Sequence, residues 1–344
     1  MNVLVTGGMG YIGSHTCIAL HQAGITPVIF DNLSNASAKV LDQLETITGQ
    51  RFAFINSDIA DAQALEQALR QSGAVAVLHF AASKAVGEST AQPLRYYRNN
   101  VASTVNLLEV MQKVGIHQLI FSSSATVYGD PEYLPLDEQH PIRATNPYGW
   151  TKVMTEQILQ DLCQAETDFL AVSLRYFNPV GAHPSGLLGE SPQGIPNNLL
   201  PFVAQTAVGR RPFVSIYGTD YPTPDGSGVR DYLHVMDLAR GHVAALLQHQ
   251  ADRGFHSYNL GTGQGYSVLE VLRAFEISAG RTIPYQLAAR RPGDIACNYA
   301  DASKAQQRLS WTAGHSLQQM TDDTWRWQSN YPQGLDFTTE SADE

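Results

Sequence analysis

The sequence is short of the residues that build disulfide and metal frameworks. It holds three cysteines in 344 residues, Cys17, Cys163 and Cys297, far apart and odd in number. No CxxC pair occurs, which excludes a disulfide scaffold and a thiolate zinc site, so reduced thiols are expected. The 11 histidines include no HExxH-type pair, and no metal site is predicted. Long apolar runs are missing too, since none reaches the ~18 residues that a membrane span needs. Basic residues are outnumbered, 22 against 32 acidic ones, for a net charge of −10. That balance argues against nucleic acid or an acidic membrane as a partner. It does not exclude an anionic small molecule, which needs only a local pair of arginines. The chain opens on a strand-like run with no signal peptide before it, so a cytoplasmic protein is expected. What remains is an ordinary globular composition, 43% hydrophobic and 16% charged, enough for one large or two medium domains.

Asn2 to Thr6 reads as a buried parallel strand. It runs into Gly7-Gly-Met-Gly10-Tyr-Ile-Gly13, and a helical stretch follows from Ser14. Strand, glycine turn and helix start form a phosphate cradle. Gly7, Gly10 and Gly13 let the backbone approach, and free N–H groups at the helix start face the anion. Thr26 to Phe30 reads as a second strand and ends in Asp31. Asp31 lies 18 residues past Gly13, close to the ~20 expected of a carboxylate that binds the adenosine ribose. A carboxylate there accepts from a 2′-hydroxyl and repels a 2′-phosphate, so NAD is favoured over NADP.

The alternation continues. Arg51–Ile55 reads as a strand leading to Asp58 and Ile59, and Ala62–Gln71 as a helix. Ala74–Phe80 is a strand running into Ala81 and Ala82. Tyr96–Val114 is a long helix, and Gln118–Phe121 a strand ending at Ser122-Ser-Ser124. Asp168–Leu174 is a further strand. Repeated βα units imply a Rossmann-like, doubly wound parallel sheet with right-handed crossovers. From about Arg175 proline and glycine become dense, which predicts a smaller, mostly C-terminal α/β substrate domain. The expected division is 1–176 and 177–344, with 231–248 returning to the first unit. The acidic end, 334–344, is expected to fray.

Pro147 suits a helix start, which places Tyr148 and Lys152 at i and i+4 on one face. Bringing a phenol from its usual pKa of about 10 to near 7 needs ~4 kcal/mol. One positive charge ~6 Å away supplies roughly 3 kcal/mol at an effective dielectric of about 20. Lysine alone falls short, and an oxidised nicotinamide ring is a second cation that closes the gap. A tyrosine and a lysine four apart also occur on many ordinary helices, so the pair gains meaning only from its surroundings.

Taken together, Thr6-Gly-Gly-Met-Gly-Tyr-Ile-Gly13, Ser122-Ser-Ser124, Tyr148-xxx-Lys152 and Arg175-Tyr-Phe-Asn178 resemble the extended short-chain dehydrogenase/reductases. Longer strings narrow the resemblance to the UDP-glucose 4-epimerases within them. These are Phe121 to Asp130, Arg175 to Pro184, Gln193 to Asn198, Gly228 to Asp237, Asn259 to Gly263 and Ala300 to Lys304. The likeness runs from Met1 to about Gly334. It implies an isomerase that interconverts UDP-glucose and UDP-galactose by transient oxidation at C4 with retained NAD. Tyr148 is then the acid/base, aided by Lys152, and Ser124 hydrogen-bonds Tyr148 and the sugar hydroxyl.

The resemblance also implies the binding residues. Tyr11, Ile12, Asp31 and Asn32 hold the pyrophosphate and adenosine ribose, and Asp58 and Ile59 the adenine end. Phe80, Ala81, Ala82, Lys84, Asn99 and Phe177 line the rest of the NAD site. Asn178, Asn198 and Leu199 contact the UDP moiety. Ser215, Ile216 and Tyr217 present backbone to uracil, with Tyr217 stacked on it. Arg230 and Arg291 clamp the diphosphate by bidentate geometry, and Asp294 holds ribose hydroxyls. A lone arginine is otherwise a surface ion-pair partner. A homodimer through helices 96–114 and 148–165 is implied as well.

Several residues depart from the family's usual pattern: Met9, Ala82-Ser83, Trp150 and Asn298. Asn298, or Cys297 after a one-residue slip, stands where a bulky tyrosine restricts relatives to unsubstituted sugars. The smaller residue predicts room for N-acetylated UDP-sugars, unless Tyr299 or a loop fills the space. One alternative is a nucleotide-sugar 4,6-dehydratase, which needs an Asp-Glu pair where this chain has Ala125 and Thr126. The other is a non-catalytic NAD(H)-sensing protein, which typically loses the Tyr/Lys pair kept here.

Overall fold

The computed structural model describes residues 1–335 apart from Gln250 and Pro292. Of the end expected to fray, 334–344, residues 336–344 lie outside the described residues, and Leu335 is buried with its N–H donating to Ser191 Oγ at 3.1 Å. The first half alternates as the sequence predicts. Strands β1 (Asn2–Thr6), β2 (Thr26–Asp31), β3 (Ala53–Asn56), β4 (Ala74–His79), β5 (Gln118–Ser122) and β6 (Leu170–Tyr176) are joined by helices. The helices are α1 (Tyr11–Gln22), α2 (Lys39–Thr48), α3 (Ala62–Ser72), α4 (Val86–Ala91), α5 (Pro93–Tyr96), α6 (Ser103–Val114) and α7 (Pro147–Ala165). All pairs in the large sheet are parallel. Helices cover both faces, which is why β1 and β6 are continuous buried runs and not alternating ones.

Three boundaries differ from the sequence expectations. β3 starts at Ala53 because Arg51 stays outside, paired with Asp42 and Glu45. β6 runs two residues further than expected at its end, carrying Arg175 and Tyr176 into the sheet. The long helix expected over Tyr96–Val114 begins instead as α5 and passes through a π turn, Tyr97–Ala102, before α6. Such turns gather at functional sites. Here it sets Asn100 against the loop after β4, where its amide donates to the Ser83 carbonyl at 2.9 Å and accepts from the Ser83 N–H at 2.8 Å.

Beyond β6 the chain builds a smaller layer. It contains β7 (Asn178–Val180), α8 (Leu199–Ala207), β8 (Val214–Tyr217) and β9 (Val229–His234), followed by α9 (Val235–Gln248) and β10 (Gly254–Leu260). Then come β11 (Gly265–Ser267), α10 (Val268–Ala279), β12 (Tyr285–Ala288), β13 (Cys297–Asn298), α11 (Ser303–Leu309) and α12 (Leu317–Asn330). β11, β9 and β13 form one small sheet, with β7 also on β9, and β12 pairs β8 in another. β9 therefore joins the small sheet and not the large one. The chain does come back just after it. Leu238, Val243 and Leu246 of α9 share a buried core with Cys17 and Ile18 of α1, and β10 lies parallel to β6 at the sheet edge. The large sheet thus has the order β10-β6-β5-β4-β1-β2-β3.

One buried charge pair ties α7 to this sheet. Arg175 and Glu156 are 4% and 3% exposed, and Arg175 Nη2 donates to Glu156 Oε2 at 2.6 Å. The hydroxyls of Ser123 and Ser173 donate to Glu156 Oε1 at 2.6 and 2.7 Å. Removing one partner of such a pair leaves an uncompensated buried charge. Glu156→Ala is expected to lower unfolding free energy by ~3–5 kcal/mol in urea titrations at neutral pH. A loss under about 1 kcal/mol, the scale of an exposed pair, would show that the arginine finds another partner.

Candidate active site

The glycine turn after β1 is shaped by close backbone contacts. Gly7 has φ 70°, and a Cβ on it would lie 2.7 Å from the Ala81 nitrogen. A Cβ on Gly13 would lie 2.3 Å from the Gly7 carbonyl oxygen. Gly10 precedes α1 without a side-chain cap, and the first turn of α1 has no acidic residue. The positive end of the helix is thus presented without internal neutralisation. Gly7 and Gly10 line a cleft of about 710 Å³ together with Asp31, Asn32, Asp58, Ile59, Phe80, Ala81, Ala82, Lys84 and Asn99.

The expected cofactor residues have definite partners. Asp31 accepts from the Met9 N–H at 3.0 Å and the Leu33 N–H at 2.8 Å. Burial pushes its pKa up and these N–H groups oppose the rise. A carboxylate has about four acceptor sites, so capacity remains. Asn32 donates to Asp58 at 2.6 Å, and Lys84 pairs with Glu190 at 2.7 Å. The Tyr11 hydroxyl donates to the Gly181 carbonyl at 2.7 Å, so it braces the smaller layer, and Tyr11, Ile12 and Gly13 offer backbone at the helix start. Phe177 does not line the cleft; it is buried beside Ala125, Val127 and Tyr128.

Tyr148, Lys152 and Ser124 come together through α7. The Asn146 side chain caps α7 by accepting from the Gly149 N–H at 2.9 Å, and Pro147 opens the helix. Gly149 lets α7 approach the Ser124 turn, because a Cβ there would sit 3.0 Å from the Thr126 carbonyl oxygen. The Tyr148 phenol faces the Ser124 side chain, which favours its ionised form. Lys152 Nζ donates to the Ser122 carbonyl at 2.7 Å and lies 5.7 Å from the Tyr148 ring centroid.

The electrostatics correct one expectation. Burial raises the Tyr148 pKa to about 12, against the opposing effect of the Ser124 side chain. Burial lowers Lys152 to about 7, against the attraction of Glu156. Desolvation disfavours both charged forms, so Lys152 does not by itself bring the phenol toward neutral pH. The gap left for a second positive charge is therefore wider than the helix spacing suggests.

The second cleft, of about 460 Å³, is lined by Asn178, Asn198, Leu199, Ser215, Tyr217, Arg230, Arg291 and Asp294. Arg291 pairs with Asp294 at 2.8 Å, and its guanidinium sits 4.7 Å from the Tyr217 ring centroid. Three residues expected to hold different parts of one ligand therefore hold one another. Arg230 Nη1 donates to the Val229 carbonyl at 2.8 Å. Ile216 is fully buried and contributes no side chain to the cleft. Asn298 lines neither cleft; it stands beside Arg230 in register, and its Oδ1 is buried without a hydrogen-bond partner. Ile195 to Asn198 line both clefts, so the two spaces meet there.

Some participants were not evident in the sequence. Glu156 and Arg175 fix α7, Asn100 shapes the loop after β4, and Glu190 lines the first cleft and bonds Asn198, which lines both. Tyr176 shares a short hydrogen bond with Ser122 Oγ beneath Lys152. Its place in Arg175-Tyr-Phe-Asn178 was the available signal. The fold also gathers His249, Asp252 and His256, although His249 is already bonded to Asp252 and Tyr258.

The chain is similar to known proteins over nearly its whole length. A family model described as GDP-mannose 4,6 dehydratase matches residues 4–324. The chain is 54% identical over 333 residues to a UDP-glucose 4-epimerase of Dictyostelium discoideum, covering 96% of this chain and 97% of that one. It is 52% identical over 340 residues to the human UDP-glucose 4-epimerase, covering 97% and 98%. The structure of UDP-glucose 4-epimerase from Bifidobacterium longum with NAD+ and UDP superposes with a TM-score of 0.94 at 51% identity, covering 97% of this chain and 100% of that one. The UDP-Glc/GlcNAc 4-epimerase of Campylobacter jejuni gives 0.83 at 36% identity, covering 96% and 99%.

The lowered Lys152 pKa has a pH consequence. From about pH 7 to 10.5 the unfolded chain binds a proton that the folded chain does not, so stability from this group rises with pH across that window. Between about pH 7 and pH 9.5, wild type should gain ~2–3 kcal/mol over Lys152→Met in urea unfolding, at 1.36 kcal/mol per unit. Parallel pH responses would mean that the folded chain keeps Lys152 charged.

Proposed function

Since the chain belongs to the UDP-glucose 4-epimerase family, we propose that Tyr148 is the acid/base of its C4 epimerisation, with Ser124 and Lys152 beside it. The enzyme is an NAD-dependent isomerase that interconverts UDP-glucose and UDP-galactose. The observation that carries the assignment of residues is the buried Tyr148 phenol beside Ser124, with Lys152 Nζ 5.7 Å from its ring centroid.

The cradle fits a dinucleotide. Cβ atoms at Gly7 or Gly13 would fill it, the helix start is uncapped, and Asp31 closes the second strand. Gly7, Gly10, Tyr11, Ile12 and Gly13 hold the pyrophosphate, Asp31 and Asn32 the ribose, and Asp58 and Ile59 the adenine. Phe80, Ala81, Ala82, Lys84 and Asn99 enclose the remainder, and Phe177 packs behind them in the core. When bound, NAD accepts and returns the C4 hydride and adds the positive charge that the phenol requires. Tyr148 takes the proton of the sugar 4-hydroxyl and gives it back, and Ser124 holds that hydroxyl. The UDP half is anchored by Asn178, Asn198, Leu199, Arg230, Arg291 and Asp294, with Ser215, Ile216 and Tyr217 at the base. Anchoring the remote half leaves the 4-keto sugar free to turn and present its other face.

The matching family model bears a dehydratase's name, but Ala125 and Thr126 follow Ser124 and neither titrates usefully. A sensor would not need the buried Tyr148–Lys152 pair. We further propose a homodimer through α6 and α7, supported by Trp150 and Met154, each 41% exposed and four apart on α7. A cytoplasmic location accords with the three free cysteines.

We also propose that N-acetylated UDP-sugars are accepted. Asn298 is smaller than tyrosine and stands beside Arg230, which lines the second cleft, so it leaves space that a tyrosine would fill.

Purified enzyme is expected to carry NAD(H). In that form, Tyr148→Phe should cut turnover by ~10²–10⁴, the contribution of a positioned acid/base, while UDP affinity holds. Retention of more than roughly a tenth of wild-type turnover would remove Tyr148 from the role.

For the sugar pocket, UDP-GalNAc and UDP-galactose should both turn over, and Asn298→Tyr should abolish only the acetamido substrate. A wild-type preference for UDP-galactose above about 10⁴-fold in kcat/KM, far beyond the ~10–200-fold of a missing methylene, would mean that the pocket is closed.

A further inference from the structure

Asn198 is the N-cap residue of α8, yet its side chain makes no capping hydrogen bond. Asparagine at that place ordinarily accepts from the N–H of the second or third helical residue. The third is Pro201, which has no N–H, so Leu200 offers the one such donor. The Asn198 amide instead donates to Glu190 Oε1, 3.2 Å away. The same oxygen accepts from Lys84 Nζ at 2.7 Å. Lys84 lines the cofactor cleft, and Asn198 lines both clefts.

Glu190 is fixed independently of these partners. Its backbone carbonyl accepts from the Trp327 indole N–H at 3.3 Å. Gly189 packs so tightly there that a Cβ would lie 2.4 Å from the Trp327 ring. The Glu190 side chain is 10% exposed. A carboxylate lining a cleft built for a diphosphate opposes its charge unless it is neutralised, and Lys84 neutralises it.

An ionised carboxylate only accepts. It therefore holds the Asn198 amide with its NH₂ toward Glu190 and its oxygen away from the Leu200 N–H. An uncapped helix start is an anion site, whereas a capping oxygen would occupy its donors. We infer that Glu190 is a positioning residue that keeps Asn198 from capping α8, and so leaves the N–H groups of Leu199 and Leu200 for the nucleotide's diphosphate. This rests on the epimerase assignment, through the placing of UDP in the second cleft. Lys84 joins the two spaces, because it holds the carboxylate that holds Asn198.

The test is calorimetric titration of UDP into the purified holoenzyme and its variants. Glu190→Gln is isosteric but able to donate, which frees the Asn198 amide to turn. It should weaken UDP about tenfold, the scale of one charge-assisted hydrogen bond, with bound-cofactor absorbance unchanged. Glu190→Asp remains acceptor-only and should stay within about threefold of wild type. The double variant Glu190→Gln/Asn198→Ala should bind no more weakly than Asn198→Ala alone, since nothing is left to position. A Glu190→Gln affinity within about twofold of wild type, multiplicative losses in the double variant, Glu190→Asp as weak as Glu190→Gln, or a loss that tracks cofactor content would each overturn the inference. A wild type that fails to bind UDP would refute the epimerase assignment instead.

Discussion

The structure depends on the buried pair between Glu156 and Arg175. It joins α7, which carries Tyr148 and Lys152, to β6, and through Ser123 to the end of β5. The turn at Ser122–Ser124 and the start of α7 are thereby held at one separation. Every oxygen of the carboxylate is occupied, so the charges are kept in a dry interior without an orphan. A pair of apolar residues could pack as well, but it would not pin two hydroxyl-bearing strand ends to one helix.

The same dryness governs the chemistry. Burial pushes the Tyr148 pKa up and the Lys152 pKa down, so the folded chain prefers both groups neutral. A base that is unavailable until a second positive charge is present is coupled to the ligand that brings it. On the proposed mechanism, loss of the hydroxyl proton and loss of the hydride from the carbon that bears it are then confined to the same complex. The fold, and not the helix spacing alone, supplies that coupling.

The residues proposed to bind the ligands are divided between two layers that the chain visits in turn. β1 to β6 bring the glycine turn, Asp31 and the Ser124 turn to the carboxyl ends of one parallel sheet, where ligands of such sheets lie. The smaller layer supplies Arg230, Arg291 and Tyr217. α9 and β10 return to the large sheet and lock the layers together, so the segment from Ile195 to Asn198 can wall both clefts. A sugar that must turn over needs its two anchors held at a constant distance.

Much of this was written in local pattern. The glycine turn, the position of Asp31, the βα alternation and the i, i+4 pair of Tyr148 and Lys152 follow from spacing and from the conformations that glycine and proline permit. The family resemblance was carried by strings that lie in those same turns. What the sequence did not determine involves partners distant along the chain. Glu156 and Arg175 are ordinary charged residues until the sheet register brings them together. Asn298 and Arg230 become neighbours only when β13 pairs with β9. The π turn at Asn99 and Asn100 has no periodic signature, and β10 was hidden because its pairing partner lies some eighty residues earlier. Desolvation decided the rest: a pKa depends on what surrounds a group in space, and α7 placed Tyr148 and Lys152 where burial outweighs the charge that one would lend the other.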